Sequence, residues 1–305
     1  MFDELQHLIL VHETGSFTVA ARRAHLSQPA LSMSVARLEQ AMDARLVDRT
    51  RGQIGLTAEG QALLPHARAA LAAVETGRAA VAALAGLLAG EVRIAAGATA
   101  ATYLLPATLA RFRAAAPGVR LRLREATTRA TLSLLAAHEV DLGVVVEGAR
   151  LPRGVVAEPF ADDTLVVVRA ADSDEATALP WVAFPPGTPT RAALDAHEAE
   201  AEIAVEASEI AAIVAACAAG MGRALVPEVA VAAALAAGRL VRAPTPWSPL
   251  QRRLMLVHRG VEALSPAAAA LRQAMITAAG PKQPHGTPLD SAVAETAATE
   301  PTDRA

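Results

Sequence analysis

Residues 15–38 read GSFTVAARRAHLSQPALSMSVARL, and this stretch decides the fold of the N-terminal part of the chain. Gly15 and Ser16 interrupt an apolar helical pattern that begins at Phe2. Small alanines then indicate a second helix from about Thr18 to Ala24, and Ser27 is placed to cap a third helix. The spacing predicts three short helices within the first forty residues.

The third predicted helix has two distinct faces. Leu31, Val35 and Leu38 recur at the spacing of one helical face and are expected to point into the core. The other face is small, polar and almost free of acidic groups, as a helix that enters the DNA major groove requires. It presents Pro29, Ser32, Met33, Ala36 and Arg37, with Gln28 at its N-terminal end.

Two further elements follow this helix. Residues 49–56 indicate a two-stranded hairpin, a wing, whose tip carries Arg49 and Arg51. From Thr57 an alanine- and leucine-rich helix is predicted to about Ala89. Its long apolar stripe predicts pairing with the same helix of a second subunit, because the stripe would otherwise be exposed.

Beyond Gly90 strands and helices alternate, which predicts an α/β unit that begins with parallel strands in a βαβαβ run. A strand at 253–258 and a helix at 266–278 are expected to return to the first half of this unit. The predicted organisation is a DNA-binding domain at 1–60, a linker and dimerisation helix at 61–90, an effector-binding domain at 91–278 (subdomain one at 91–160 plus 246–278, subdomain two at 161–245) and a disordered tail at 279–305.

Composition excludes several classes of protein. A single cysteine, Cys217, excludes an internal disulfide framework and a multi-cysteine zinc site. The N-terminus lacks the basic region of a secretory signal, and charged residues interrupt the most apolar stretch, so no membrane segment is expected. His138 and His197 have no second histidine at ligand spacing, and no catalytic or dinucleotide motif is present. We therefore expect no metal, no cofactor and no enzyme activity.

The motifs resemble those of the LysR-type transcriptional regulator family. The matching positions are Gly15-Ser-Phe-Thr, Ala20-Ala21, Leu26-Ser-Gln-Pro-Ala-Leu-Ser32, Arg37-Leu-Glu39, Arg49, Leu56-Thr57 and Gly60, and later Leu105-Pro106, Asp141-Leu142 and Ala219-Gly-Met-Gly. The resemblance covers residues 1 to about 278. It implies a winged helix-turn-helix, a long linker helix and a C-terminal two-subdomain α/β domain of the periplasmic-binding-protein type, an α + α/β fold.

For DNA binding, the resemblance implies contacts from Ser27, Gln28, Pro29, Ser32 and Arg37, with Arg49 or Arg51 of the wing reaching the backbone or the minor groove. Met33 departs from the family, which usually has arginine or another polar residue there. Since Met33 lies at the centre of the exposed face, we hypothesise that it contacts a thymine methyl group, an apolar readout of about 1 kcal/mol.

The resemblance also places an effector in the cleft between the two subdomains, and the rule for open parallel sheets selects the same loops. The candidate effector-binding residues are Thr99, Thr102, Thr128, Thr188 and Ser208. Hydroxyl groups and helix N-termini suit a carboxylate or a similar small anion. Alternatively, Thr99, Thr128 and Ser208 are helix N-caps, because capping selects the same residue types.

The predicted function is sequence-specific DNA binding by a cytoplasmic transcriptional regulator that a small-molecule effector modulates. The expected partners are promoter DNA, the effector, further copies of the chain in a homodimer or homotetramer, and RNA polymerase. Two alternatives stay open at this point. One is a constitutive DNA-binding regulator whose C-terminal domain only oligomerises, and the other is an enzyme with a solute-binding fold.

Overall fold

The N-terminal domain contains three helices and a short hairpin. The computed structural model describes residues 1–48, 54–84, 88–173 and 179–278. The elements of this domain are α1 (Phe2–Thr14), α2 (Phe17–Arg23), α3 (Gln28–Met42), β1 (Val47–Asp48) and β2 (Gly55–Leu56). The predicted cap is confirmed, because the Ser27 hydroxyl accepts a hydrogen bond from the Ala30 N–H at 3.3 Å.

The apolar face of α3 forms the centre of this domain. Leu31, Val35 and Leu38 are buried, and they share a core with Leu8 of α1 and Phe17 of α2. Each such side chain contributes about 1.5–3 kcal/mol when it leaves water. The opposite face of α3 therefore points outward, as its sequence pattern predicts.

The linker helix α4 (Ala58–Leu84) leaves directly from the hairpin. A Cβ at Gly60 would lie 2.1 Å from the carbonyl oxygen of Leu46, so only glycine lets the helix start this close to the strand. Residues 88 and 89 are no longer helical, so the helix predicted to about Ala89 was too long. The wing tip with Arg49 and Arg51 and the tail at 279–305 lie outside the described residues.

The effector-binding domain is built on one large mixed sheet. Its strands are β3 (Gly90–Ala96), β4 (Val119–Glu125), β5 (Leu142–Val146), β6 (Val156–Ala170), β9 (Ala224–Pro227), β10 (Leu240–Arg242) and β11 (Leu250–His258), in the order β10-β6-β11-β5-β3-β4 with β9 beside β6. The pairs β5–β3 and β3–β4 are parallel, as predicted. Strand β11 runs antiparallel to both β5 and β6, which confirms its return to the first half.

Helices and a second sheet complete the two subdomains. The first subdomain carries α5 (Leu105–Ala115), α6 (Thr128–Ala136) and α10 (Pro266–Ala278). The second contains the parallel pair β7 (Trp181–Ala183) and β8 (Ile203–Glu206), with α7 (Pro189–His197), α8 (Ile210–Ala218) and α9 (Glu228–Ala236). The long strand β6 runs across the boundary predicted at 160/161, so β6 and β11 connect both subdomains.

Four local features differ from the sequence-based prediction. Helix α9 and strand β10 were not predicted, because the alanine-rich segment of α9 has no regular polar face to mark it. A π-helical turn at Ala100–Leu104 precedes α5. The sequence pattern predicts the next helix from Thr131 to His138, whereas α6 begins at Thr128 and ends at Ala136. Cys217 is buried, and burial raises the pKa of its thiol to about 11.

The described part of the chain has neither a membrane-spanning helix nor a cluster of metal-ligating side chains. None of its helices combines the length and the apolar character needed to cross a lipid bilayer. The same residues include no group of three or more histidine, cysteine or acidic side chains that could hold a metal ion.

Candidate DNA-binding face and effector cleft

The structure places the predicted DNA-contact residues of α3 on one outward face. Ser27, Gln28 and Pro29 are exposed at its N-terminal end, and Ser32 is half-buried one turn later. Met33 is 62% exposed although it is a large apolar side chain. Met33 is not part of the hydrophobic core of this domain.

Arg37 ends this face and is held by a residue that the sequence did not indicate. Its Nε donates to the Glu4 carboxylate of α1 at 3.3 Å, and Glu4 also pairs with the terminal amine of Met1. The amine, the backbone N–H of Glu4 and Arg37 together hold the pKa of the Glu4 carboxyl at about 2. Glu4 is therefore ionised throughout the neutral range, directly beside the candidate DNA-binding face.

A second contact between α1 and α3 lies deeper. His7 Nδ1 and the buried Ser34 hydroxyl are 2.7 Å apart. Burial lowers the pKa of His7, and the nearby Asp3 and Glu4 only partly offset this. His7 is therefore uncharged at neutral pH, which fits its contact with a neutral hydroxyl group.

The base of the wing is fixed by the buried carboxylate of Glu39. This side chain accepts hydrogen bonds from the N–H groups of Leu46 at 2.9 Å and Val47 at 3.2 Å. The hydroxyl of Thr57 donates to the Arg45 carbonyl at 2.6 Å and closes the same junction. The Arg-Leu-Glu and Leu-Thr motifs thus join α3, the hairpin and α4 into one rigid unit.

In the effector-binding domain, the candidate residues do not all meet. Thr99 is buried at the end of β3, and Thr128 is half-buried at the start of α6, where its hydroxyl is 3.5 Å from the Val146 N–H. Thr188 caps α7 by accepting from the Arg191 N–H at 3.3 Å. Thr102 and Ser208 are exposed.

The capping alternative is wrong for Thr128 and Ser208, whereas Thr99 stands at the N-cap position of the π-helical turn at Ala100–Leu104 but does not cap it with its side chain. Helix α6 is capped by Thr127, and the cap position of α8 is Glu209. Thr99 has another partner, which sequence reasoning missed. Its hydroxyl accepts from Arg252 Nη2 at 3.0 Å.

Arg252 is the centre of a buried polar cluster between the subdomains. It lies on β11, opposite Asp163 of β6, and its Nε donates to the Asp163 carboxylate at 2.7 Å. Its Nη1 donates to the Thr190 hydroxyl of α7 at 3.1 Å. All four residues are between 5% and 8% exposed. Arg252 therefore connects subdomain one through Thr99 with subdomain two through Thr190.

The charge of this cluster is balanced by the chain itself. A buried guanidinium is tolerated only when a carboxylate and further hydrogen bonds replace its lost hydration, and here all three groups do so. Because both threonine oxygens accept bonds from Arg252, each hydroxyl has its own O–H free to donate elsewhere.

The linker helix is also tied to both domains. Arg68 of α4, whose side chain is 14% exposed, pairs with Glu139 of the effector-binding domain at 2.6 Å. Its other nitrogen lies 3.9 Å from Glu13 of α1. Hydrogen bonds stabilise the turn that carries Glu139, because Arg259 donates to the carbonyl oxygens of Leu135 and Val140, each at 2.8 Å.

A helix-turn-helix unit with an outward polar face, joined by a long helix to two α/β subdomains that meet at a buried polar cluster, is the architecture of a DNA-binding regulator with a second, C-terminal domain. Family models identify the class further. The model of a bacterial regulatory helix-turn-helix protein of the LysR family matches residues 2–61, and that of a LysR substrate binding domain matches residues 85–280. The chain belongs to the LysR family, which confirms the resemblance.

Individual proteins agree with this assignment. The nitrogen assimilation regulatory protein nac of Klebsiella aerogenes is 32% identical over 287 residues, which cover 90% of this chain and 93% of the relative. A full-length OxyR variant of Pseudomonas aeruginosa superposes with a TM-score of 0.72 at 23% identity, over 92% of this chain and 94% of that one. Full-length CbnR complexed with its target DNA gives 0.61 at 24% identity, over 91% and 99%. The fold is therefore that of full-length LysR regulators.

Proposed function

We propose that this protein is a transcriptional regulator that binds promoter DNA in a sequence-specific way through α3 and responds to a small-molecule effector in the cleft between its subdomains. The observation that carries the DNA-binding part is the exposed face of α3, which combines polar groups with a 62% exposed Met33. Such a face matches the mixture of hydrogen-bonding and methyl groups in the major groove.

The residues proposed to contact DNA are Ser27, Gln28, Pro29, Ser32, Met33 and Arg37, with Arg49 and Arg51 of the wing. A duplex carries closely spaced phosphates, so the wing arginines supply affinity while the α3 face supplies base readout. The CbnR complex shows that a protein of this fold binds DNA. That likeness supports the proposal for this chain.

The proposed effector site includes Thr99 and Thr190, with Thr102, Thr128, Thr188 and Ser208 as further lining residues. An effector that takes the hydroxyl groups of Thr99 and Thr190 changes the contacts of Arg252 with both subdomains, and so favours a different subdomain closure. An anionic effector would compete with Asp163 for the Arg252 guanidinium. A comparison of anionic and neutral ligands therefore tests whether the effector is an anion.

For the assembly, we propose a homodimer through α4 and a homotetramer through the effector-binding domains, with RNA polymerase as a further partner. Val81 of α4 is 70% exposed, which supports a helix that meets another subunit. Such an assembly acts in the cytoplasm, where promoter DNA is found, and the proposal includes no enzyme activity. Sedimentation that gives a monomer at micromolar concentration would contradict the assembly.

The test uses the full chain in two assays. Selection from a random-sequence duplex library should yield a site with dyad symmetry, and Gln28→Ala should weaken binding to that site by about fivefold or more. Arg78→Ala, a 75% exposed arginine on α4, is the control and should have no effect on base preference. Failure to select any sequence would contradict the DNA-binding proposal.

A panel of small carboxylic acids, amino acids and neutral polyols tests the sensor part. A true effector raises the melting temperature as its concentration exceeds its Kd, and Thr99→Val should reduce this rise. The second candidate, a constitutive regulator, is favoured by one observation, the pairing of Arg252 by the chain's own groups. Selection of a DNA site without any stabilising ligand would support that candidate.

A further inference from the structure

Two side chains of α1 contact two side chains of the candidate recognition helix. Glu4 and His7 lie one turn apart on α1, and their partners Arg37 and Ser34 lie one turn apart on α3. The His7–Ser34 contact is inside the domain, because Ser34 is only 2% exposed. The Glu4–Arg37 contact is at the edge, with side-chain exposures of 17% and 59%. Helix α1 thus fixes the direction in which Arg37 leaves α3.

The contact uses only one part of the guanidinium. Glu4 accepts from Nε, and among the described residues the two Nη groups of Arg37 have no other partner. In a planar guanidinium the edge formed by Nη1 and Nη2 faces away from the Nε–H bond. This edge carries two parallel donors, the arrangement that matches O6 and N7 of guanine or two oxygens of a phosphate.

The carboxylate of Glu4 discriminates between these two targets. Glu4 lies beside the guanidinium and repels a phosphate bound at the Nη edge, although the terminal amine of Met1 shares the same carboxylate and reduces this repulsion. A guanine edge is an uncharged pair of acceptors, so it retains both hydrogen bonds without this repulsion. An arginine held by a carboxylate is therefore better suited to a base than to the DNA backbone.

From this geometry we propose that Glu4 is a specificity-determining, positioning residue that directs Arg37 to a guanine and away from phosphates. The inference rests on the proposed DNA-binding function of α3 and adds a role for α1. Glu4 contacts no base in this scheme. It acts through Arg37 alone.

The experiment is selection from a random-sequence duplex library with the full-length wild type and five variants, followed by titrations of the selected site at several salt concentrations. Arg37→Ala should remove a guanine preference at one position of each half-site. Glu4→Ala should reduce the same preference by about fivefold, because the released Arg37 now reaches phosphates. It should also raise affinity for random DNA and steepen the salt dependence by about one ion.

Two variants separate positioning from charge. Asp3→Ala removes an equal charge from the adjacent position of α1, yet among the described residues Arg37 has its ion pair with Glu4 and not with Asp3, so guanine preference should persist. Glu4→Gln keeps an acceptor oxygen for Nε but removes the charge, so it should raise affinity for random DNA as Glu4→Ala does while it retains more of the guanine preference. In the Arg37→Ala background, Glu4→Ala should change no base preference. Glu4→Ser, which is too short to reach Nε, replaces Glu4→Ala if circular dichroism shows that the alanine variant is misfolded.

Three results would overturn the inference. Guanine preference could survive Glu4→Ala, Asp3→Ala could have the same effect as Glu4→Ala, or Arg37→Ala could leave every base position unchanged and lower only the salt dependence. The first result would show that Glu4 does not determine specificity, the second that Glu4 acts only as a charge, and the third that Arg37 contacts the backbone. If the wild type selects a site and the variants fail in one of these ways, the inference is wrong and the proposed DNA binding stands.

Discussion

The buried pair of Arg252 and Asp163 allows a quantitative test of what holds the two subdomains together. Asp163→Asn keeps the volume of the side chain but leaves the guanidinium, which is 7% exposed, without a counter-ion. Removing one partner of a buried pair costs about 3–5 kcal/mol. For a domain of this size each kcal/mol lowers the melting temperature by about 2–4 °C, so the expected loss is about 6–20 °C.

The neighbouring pair provides the control. Asp162 and Arg253 are the adjacent cross-strand pair on the same two strands, 3.2 Å apart, but their side chains are 37% and 43% exposed. An exposed pair contributes about 0–1 kcal/mol, so Asp162→Asn should lower the melting temperature by a few degrees at most.

Calorimetry of the full chain measures both variants. Because the cost comes from an unpaired charge, Asp163→Asn combined with Arg252→Gln should be less destabilising than the sum of the single changes. Equal melting temperatures for Asp163→Asn and Asp162→Asn would refute the reasoning. So would a strictly additive double variant.

Three further outcomes are expected. Arg68→Gln should lower the melting temperature by several degrees because it breaks the 2.6 Å contact with Glu139. Arg78→Gln, which breaks an exposed pair on the same helix, should not lower it, and equal melting curves for the two variants would contradict an interdomain role for Arg68. Met33→Ala should lower discrimination at a thymine by about 1 kcal/mol in library selection, and unchanged preference at every base would reject the methyl contact. Hydrogen bonds from Arg272 and His258 outweigh burial, so the pKa of Glu158 is lower in the folded protein than in the unfolded chain. The Glu158 carboxylate therefore stabilises the fold above its unfolded pKa, and this contribution is lost as the pH falls through the folded pKa. A melting temperature that falls equally in acid for Glu158→Gln and for the wild type would contradict this.

Sequence reasoning was sufficient where the determinants are local. The cap at Ser27 and the two faces of α3 follow from residue spacing over a few turns, so both were predicted at the right residues. The parallel pairing of β3 with β4 and with β5 follows from alternating strands and helices, whereas the order of the three strands in the sheet was not predicted. Element ends were less accurate, as at Thr127, because neighbouring threonines are equally able to cap a helix.

The sequence by itself thus determined that a small helical domain with an outward polar face precedes an α/β sensor domain. Only the tertiary structure decided which polar groups meet. Thr99 and Arg252 are 153 positions apart and touch because β11 returns between β5 and β6. Glu4 reaches Arg37 because α1 packs across α3. Local sequence patterns do not predict these contacts, because the contacts depend on strand register and helix packing. Register and packing are determined by the buried core as a whole.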